Sequence, residues 1–187
     1  MARVKNNVLT EGLSGKIGNK IVFRQRNGVT IAAQAPKQKV KLTENQLSQN
    51  KRFTDASTYA KNALSDPTLK AFYEAEAKKK GTLSARNAAM SDYLTPPTVT
   101  SIDASDYTGT KSSEKIIVHA DDKFKISSLK LKIVSSSNST IEEGNVTLSE
   151  GKWTYHTTAL NPYLSGSKIT ISATDRPGNT TTKEFTL

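Results

Sequence analysis

Two histidines, His119 and His156, are the only imidazoles in this chain, and it has no cysteine. A Ser-His-Asp arrangement needs an imidazole held between a serine and a carboxylate. Both histidines fall in runs that alternate as strands, which leaves each facing solvent with no forced partner. Thiol nucleophiles and disulfides are excluded outright. A metal site needs clustered ligands, yet Asp121-Asp122 and Glu142-Glu143 are adjacent pairs whose side chains point apart in a strand or turn. The carboxylates of Asp103, Asp106 and Asp121-Asp122 could meet at one end of a sandwich and hold Ca²⁺, against the plainer reading of solvated loop carboxylates. Paired carboxylates for glycoside hydrolysis need a cleft that segments this small do not offer. No catalytic set emerges, no cofactor is expected, and an enzyme ranks last among the readings.

The charge is more telling. The first 43 of the 187 residues carry Arg3, Lys5, Lys16, Lys20, Arg24, Arg26, Lys37, Lys39 and Lys41 against Glu11 alone. That is +8 of a total of +10, and the last 90 residues are neutral. Lys and Arg grouped in this way suit a polyanion or an acidic partner, because neutralised phosphates release counterions. Phe23 is the only aromatic residue in the arm, so stacking on single-stranded bases is poorly served.

Three unlike elements position these groups. Residues 1–42 hold a β-hairpin signal: Lys20–Arg26 and Val29–Gln34 flank Asn27-Gly28, a dipeptide suited to the positive φ values of a type I′ turn. A two-residue loop sets Arg26 opposite Val29, Arg24 opposite Ile31 and Val22 opposite Ala33. Phe23 with Ala32, and Ile21 near Gln34, take the other face. Neither face is cleanly polar, and a lone hairpin is marginal in water, so Ile21, Val22, Phe23 and Ile31 are candidate interface residues. Gly12, Gly15 and Gly18 precede it. Their spacing suits a turning backbone, with a phosphate-cradling loop as the sharper alternative, although such loops need a strand before and a helix after.

Residues 43–97 read as three short helices. Thr43-Glu44-Asn45-Gln46 fits a capping box, and Phe53, Ala56, Ala60, Ala63 and Leu64 make one apolar stripe. Asp66-Pro67 restarts the helix at a position where a missing N–H costs nothing; Leu69, Phe72, Tyr73 and Ala77 face inward. Lys78 to Gly81 ends that helix, with cations at its negative end. Ala89, Met90, Tyr93 and Leu94 are the inner face of a third, stopped by Pro96-Pro97.

Residues 98–187 change to period two. Seven alternating runs recur at Val99–Ile102, Lys115–His119, Ser128–Val134, Asn145–Leu148, Trp153–Thr157, Lys168–Ala173 and Thr180–Phe185. Regular short strands with turns between them signal an antiparallel sandwich, with Trp153 expected as its core anchor. The expected fold is therefore α+β in several parts: an N-terminal β-hairpin arm, a small helical segment and a C-terminal all-β Ig-like sandwich.

The stretch Ala173-Thr174-Asp175-Arg176-Pro177-Gly178-Asn179-Thr180 resembles the last hairpin of bacterial Ig-like domains, which often show an A-x-D-x-x-G-N-like run there. Gly15-Lys16-Ile17-Gly18-Asn19, Phe23-Arg24-Gln25, Asn27-Gly28, Ala35-Pro36-Lys37 and Gln46…Arg52-Phe53 are similar to an uncharacterised family of small Bacteroidetes proteins. The second resemblance implies that the front pieces belong together. It carries over no functional residue.

These observations favour a non-enzymatic structural protein, a homo-oligomer or polymer docking through the basic arm, such as a virion component, tail-like device or filament. The alternatives are a basic nucleic-acid-binding protein using residues 1–43, and a surface adhesin or carbohydrate-binding module. No apolar run is long enough to cross a bilayer. With no signal peptide visible, synthesis in the cytoplasm is expected, with release inside a particle or filament.

Overall fold

The computed structural model describes residues 2–4, 8, 10–26, 28–36, 41–79, 81 and 84–187. Their contacts form two compact units, Met1–Leu47 and Ser48–Leu187. The described residues form three helices and three antiparallel four-stranded sheets. No described helix is long and apolar enough to cross a membrane.

In the first unit, β1 (Ala2–Val4), β2 (Gly15–Ile17), β3 (Ile21–Arg26) and β4 (Val29–Gln34) form a sheet in the order β1-β4-β3-β2. β3 and β4 pair with Arg26 opposite Val29, Arg24 opposite Ile31 and Val22 opposite Ala33. Asn27 lies outside the described residues. The two outer strands are three residues each, too short to register as an alternating pattern. Gly15 and Gly18, with φ of +106° and +55°, bracket β2 and let the chain turn back into β3. The glycine-rich stretch therefore leads from strand to strand. It has no helix N-terminus to aim at a phosphate, which removes the phosphate-loop alternative.

The helices are α1 (Glu44–Ala63), α2 (Pro67–Lys79) and α3 (Ala85–Leu94). At the start of α1, Thr43 Oγ1 accepts from the Gln46 amide at 3.3 Å while Gln46 Oε1 accepts from the Thr43 amide at 3.0 Å. Thr43→Ala is expected to cost about 1 kcal/mol of helix stability. That would appear as roughly fivefold faster amide exchange at Gln46. Asp66 caps α2 by accepting from the amides of Thr68 and Leu69, and Ser84 caps α3 through Asn87.

The helices share a small core of Ala60, Ala63, Tyr73, Ala77, Ala88 and Ala89. Phe53, expected on the inner stripe of α1, is 60% exposed. The buried run of that 20-residue helix begins only at Ala56, and Phe53 lies one turn outside it.

The rest of the second unit consists of β5 (Thr98–Asp103), β6 (Lys115–Asp121), β7 (Ile126–Val134), β8 (Thr140–Asn145), β9 (Thr147–Ser149), β10 (Lys152–His156), β11 (Lys168–Asp175) and β12 (Thr180–Thr186). One sheet runs β5-β6-β10-β9 and the other β12-β11-β7-β8. They share one core, with Ile116, Val118 and Tyr155 from the first and Leu129, Leu131, Ile133, Ile169, Ile171 and Ala173 from the second. Each fully buried Leu or Ile is worth about 1.5–3 kcal/mol over its exposed state.

Two expectations are corrected. Residues 145–148 are not one strand. The chain changes sheets at buried Val146, whose amide donates to Leu129 O, so β8 pairs with β7 while β9 pairs with β10. Trp153 is not the core anchor. It is the second residue of β10, between Val118 and Leu148, half-buried against the core, while Tyr155 two residues on is buried.

Helices and sheets belong to one unit because side chains tie them together. Asn179 Nδ2 donates to Tyr93 O at 3.0 Å, Thr181 Oγ1 to Pro97 O at 2.6 Å and Lys123 Nζ to Ser91 Oγ at 2.9 Å. The Arg176 guanidinium stacks 3.7 Å over the Phe72 ring. The change of period at 97/98 is thus a change of secondary structure inside one packed body.

Candidate functional site

Strand alternation sorts the N-terminal sheet into two faces of different chemistry. Gly15, Ile17, Ile21, Phe23, Gln25, Thr30, Ala32 and Gln34 share one face in register, and it carries no charge. Gln25 Nε2 donates to Leu13 O at 3.0 Å and to Thr30 Oγ1 at 2.8 Å, so the chain before β2 covers one end of this face. At its other end Ile17 is 59% exposed and Ile21 43%.

The opposite face carries Lys16 across from Val22, then Arg24 across from Ile31, then Arg26 across from Val29. Arg3 is in register with Ile31 in the outer strand. Lys16, Arg24 and Arg26 are exposed and form no ion pair among the described residues, while Val22, Val29, Ile31 and Ala33 between them are half-buried.

Among the described residues of this unit only Thr30 and Ala35 are buried. A sheet of this size with no apolar interior does not bury enough surface to hold itself firmly. Its open faces are therefore the candidate functional site.

Comparison with known families, curated proteins and solved structures finds no match.

Six of the nine cations named from the sequence lie among the described residues. Lys16, Arg24 and Arg26 share a face; Lys20 lies in the turn before β3, where its carbonyl accepts from the Ala35 amide; Lys41 is exposed ahead of α1. Lys5, Lys37 and Lys39 lie outside the described residues. The four apolar candidates also divide, Ile21 and Phe23 on the uncharged face, Val22 and Ile31 on the charged one.

In the second unit the acidic residues do not converge as a Ca²⁺ site. Antiparallel register puts Asp103 opposite Ile117 and Asp121 opposite Thr98, at opposite ends of β5. No group of three metal-ligating side chains occurs among the described residues. His119 and His156 are exposed; His119, Asp121, Lys152, Thr100 and half-buried Trp153 line an open pocket of about 210 Å³.

The burial of two carboxylates, Glu142 and Asp92, was not legible in the sequence. Glu142 Oε2 accepts from Thr158 N and Thr158 Oγ1, each at 2.8 Å, from Ala159 N at 3.2 Å and from the Tyr155 hydroxyl at 3.3 Å. Burial, with the neighbouring Glu142 charge, pushes the Tyr155 hydroxyl up to about 12. A carboxylate engaged by four donors is a structural clamp. The second, Asp92 in α3, accepts from the Tyr73 hydroxyl at 2.6 Å. Tyr73 spends its one proton on Asp92, so Tyr59, 2.8 Å away, donates to Tyr73. A single Asp on an otherwise apolar helix face resembles a solvent-facing residue. Only its place three residues after Ala89, on the inner side, would have flagged it.

Proposed function

We propose that this chain is a non-enzymatic assembly protein that self-associates through the uncharged face of its N-terminal sheet and carries an Ig-like sandwich outward. The observation that carries the reading is the open sheet of the first unit, with exposed Ile17 and Ile21 and almost no interior of its own. Self-association through the other face would oppose Lys16, Arg24 and Arg26 to their own copies, so like-charge repulsion favours the uncharged face.

The size of that face suggests the strength of the contact. Two six-residue strands about 20 Å long and two three-residue strands about 10 Å long, spaced about 4.8 Å, offer roughly 300 Å² per partner, a little over a third of what a stable pair buries. Such a joint is weak singly and effective when repeated, as in a polymer or particle. The sandwich reading is supported by the strand orders, β5-β6-β10-β9 and β12-β11-β7-β8, which follow the A-B-E-D and G-F-C-C′ arrangement of Ig-like domains. In a filament, tail-like device or virion it would be the displayed module.

Light scattering and negative-stain microscopy of the full chain across a concentration series test this. Oligomers or ordered polymers are expected, and the paired substitution Ile17→Glu with Ile21→Glu should return the protein to monomer without changing the melting of the Ser48–Leu187 unit. A wild-type monomer at millimolar concentration would sink the reading.

A further inference from the structure

We infer that the charged face of the N-terminal sheet is a contact surface for duplex nucleic acid, gripping phosphates without reading bases. The inference goes beyond self-association, because it concerns the opposite face of the sheet.

The geometry is that of a row. Arg24 and Arg26 are about 6.8 Å apart along β3, and Lys16 lies one strand over and one pleat back, about 8 Å from Arg24. Three exposed cations thus run along about 15 Å of an extended ribbon, with Arg3 in register beyond β4. The side chains between them are short aliphatics, so the guanidinium and ammonium groups stand clear of competing acceptors. No carboxylate occurs on this face, and Glu11 is the only acidic residue in the first 43.

The class of partner follows from what the face lacks. A protein interface is anchored by buried aromatic or large apolar residues at its centre, and the one aromatic here, Phe23, lies on the other face. A single-strand binder needs ring systems for bases to stack on, and this face has none. What remains is a row of cations set among half-buried aliphatics, with no acidic residue beside them, which gains most from a regular array of phosphates. β-ribbons enter the grooves of duplexes in known complexes.

Three phosphate contacts set a measurable salt dependence. The logarithm of affinity should fall against the logarithm of salt with a slope of about −2.7, so binding weakens about 40-fold between 50 and 200 mM salt. The test is fluorescence anisotropy of a labelled 20-base-pair duplex with the full chain, repeated on an unrelated duplex sequence, a homopolymeric single strand and polyglutamate.

The expected result is equal binding of both duplexes with that slope. Binding should be lost in Lys16→Gln/Arg24→Gln/Arg26→Gln and kept in the charge-preserving Lys16→Arg/Arg24→Lys/Arg26→Lys. The Ile17→Glu/Ile21→Glu protein should still bind through this face, so failure of self-association and failure of this contact are separately visible. The inference is overturned if the glutamine variant binds as wild type, if the single strand or polyglutamate binds more tightly than duplex, or if no duplex binding occurs at 50 mM salt.

Discussion

Asp175→Ala is expected to lower the stability of the Ser48–Leu187 unit by about 3 kcal/mol, from the two backbone amides and the Asn179 side-chain amide it strands. The Asp175 side chain, 2% exposed, holds the β11–β12 turn together from inside. Its Oδ1 accepts from the amides of Gly178 at 2.9 Å and Asn179 at 2.6 Å, and Oδ2 from Asn179 Nδ2 at 2.7 Å. Asn179 Nδ2 also donates to Tyr93 O, so the carboxylate orients the side chain that fastens α3 to the hairpin. Truncation leaves two backbone donors without an acceptor and frees Asn179 to turn away from α3. For a body of this size the midpoint should fall by about 6–12 °C. Asp175→Asn keeps an acceptor for the two backbone amides but aims an NH₂ at Asn179 Nδ2, so its loss should be intermediate. Urea denaturation followed by the fluorescence of Trp153, the chain's only tryptophan, measures both. A loss under 1 kcal/mol for Asp175→Ala would mean that water replaces the carboxylate at little cost.

That turn also shows why parts of this fold were legible in sequence. Asp175, Gly178 and Asn179 lie within five residues, and a motif so local carries its own hydrogen bonds. The Thr43–Gln46 capping box and the Asp66-Pro67 restart are legible for the same reason: donor and acceptor are two or three residues apart. Period two in β11 marked Ile169, Ile171 and Ala173, all fully buried, because both neighbours of that strand keep register along it. The misreadings concern residues whose environment is set from far away. Val146 looked like mid-strand because only the pairing of β8 with β7, about fifteen residues earlier, shows that the chain changes sheets there. Glu142 is buried by donors at 155–159, and Asp92 by Tyr73 from another helix; neither residue type announces an interior position.

The candidate site divides along the same line. Arg24 and Arg26 share a face by simple alternation within β3. Lys16 joins them only through the β2–β3 register, and Arg3 is aligned only by β1 pairing with β4 across nearly thirty residues. A count of charges found the arm, but only long-range pairing separates a charged face from an uncharged one.

The Ser48–Leu187 unit is expected to lose stability as pH rises from about 4 to about 6, and Asp92→Asn to abolish that loss. Asp92 is fully buried, and burial is the main cause that raises its carboxyl from 3.8 to about 6. The charges of Asp122, in the β6–β7 turn, and Asp175, at the end of β11, push in the same direction. The hydrogen bond from Tyr73 in α2 and the charge of Arg176 oppose them without winning. Oδ1 of Asp92 has no hydrogen-bond partner among the described residues, so the anion's desolvation on that side is uncompensated.

A carboxyl whose folded value lies above its unfolded one contributes stability that is complete below pH 3.8 and disappears as pH rises through about 6. A shift of about two units corresponds to roughly 3 kcal/mol. Most buried, hydrogen-bonded carboxylates act in the opposite sense, so the sign itself is diagnostic. Asparagine keeps an acceptor for the Tyr73 hydroxyl and carries no charge at any pH. Asp92→Asn should therefore match wild type near pH 4 and exceed it by roughly 3 kcal/mol at pH 7. Tyr73→Phe removes the one hydrogen bond that favours the anion, and should move the wild-type window upward. Urea midpoints at pH 4, 5, 6 and 7 for the three proteins decide the matter. Parallel pH profiles for wild type and Asp92→Asn would show that water reaches the carboxylate and that the helices are not sealed against the sheets at this point.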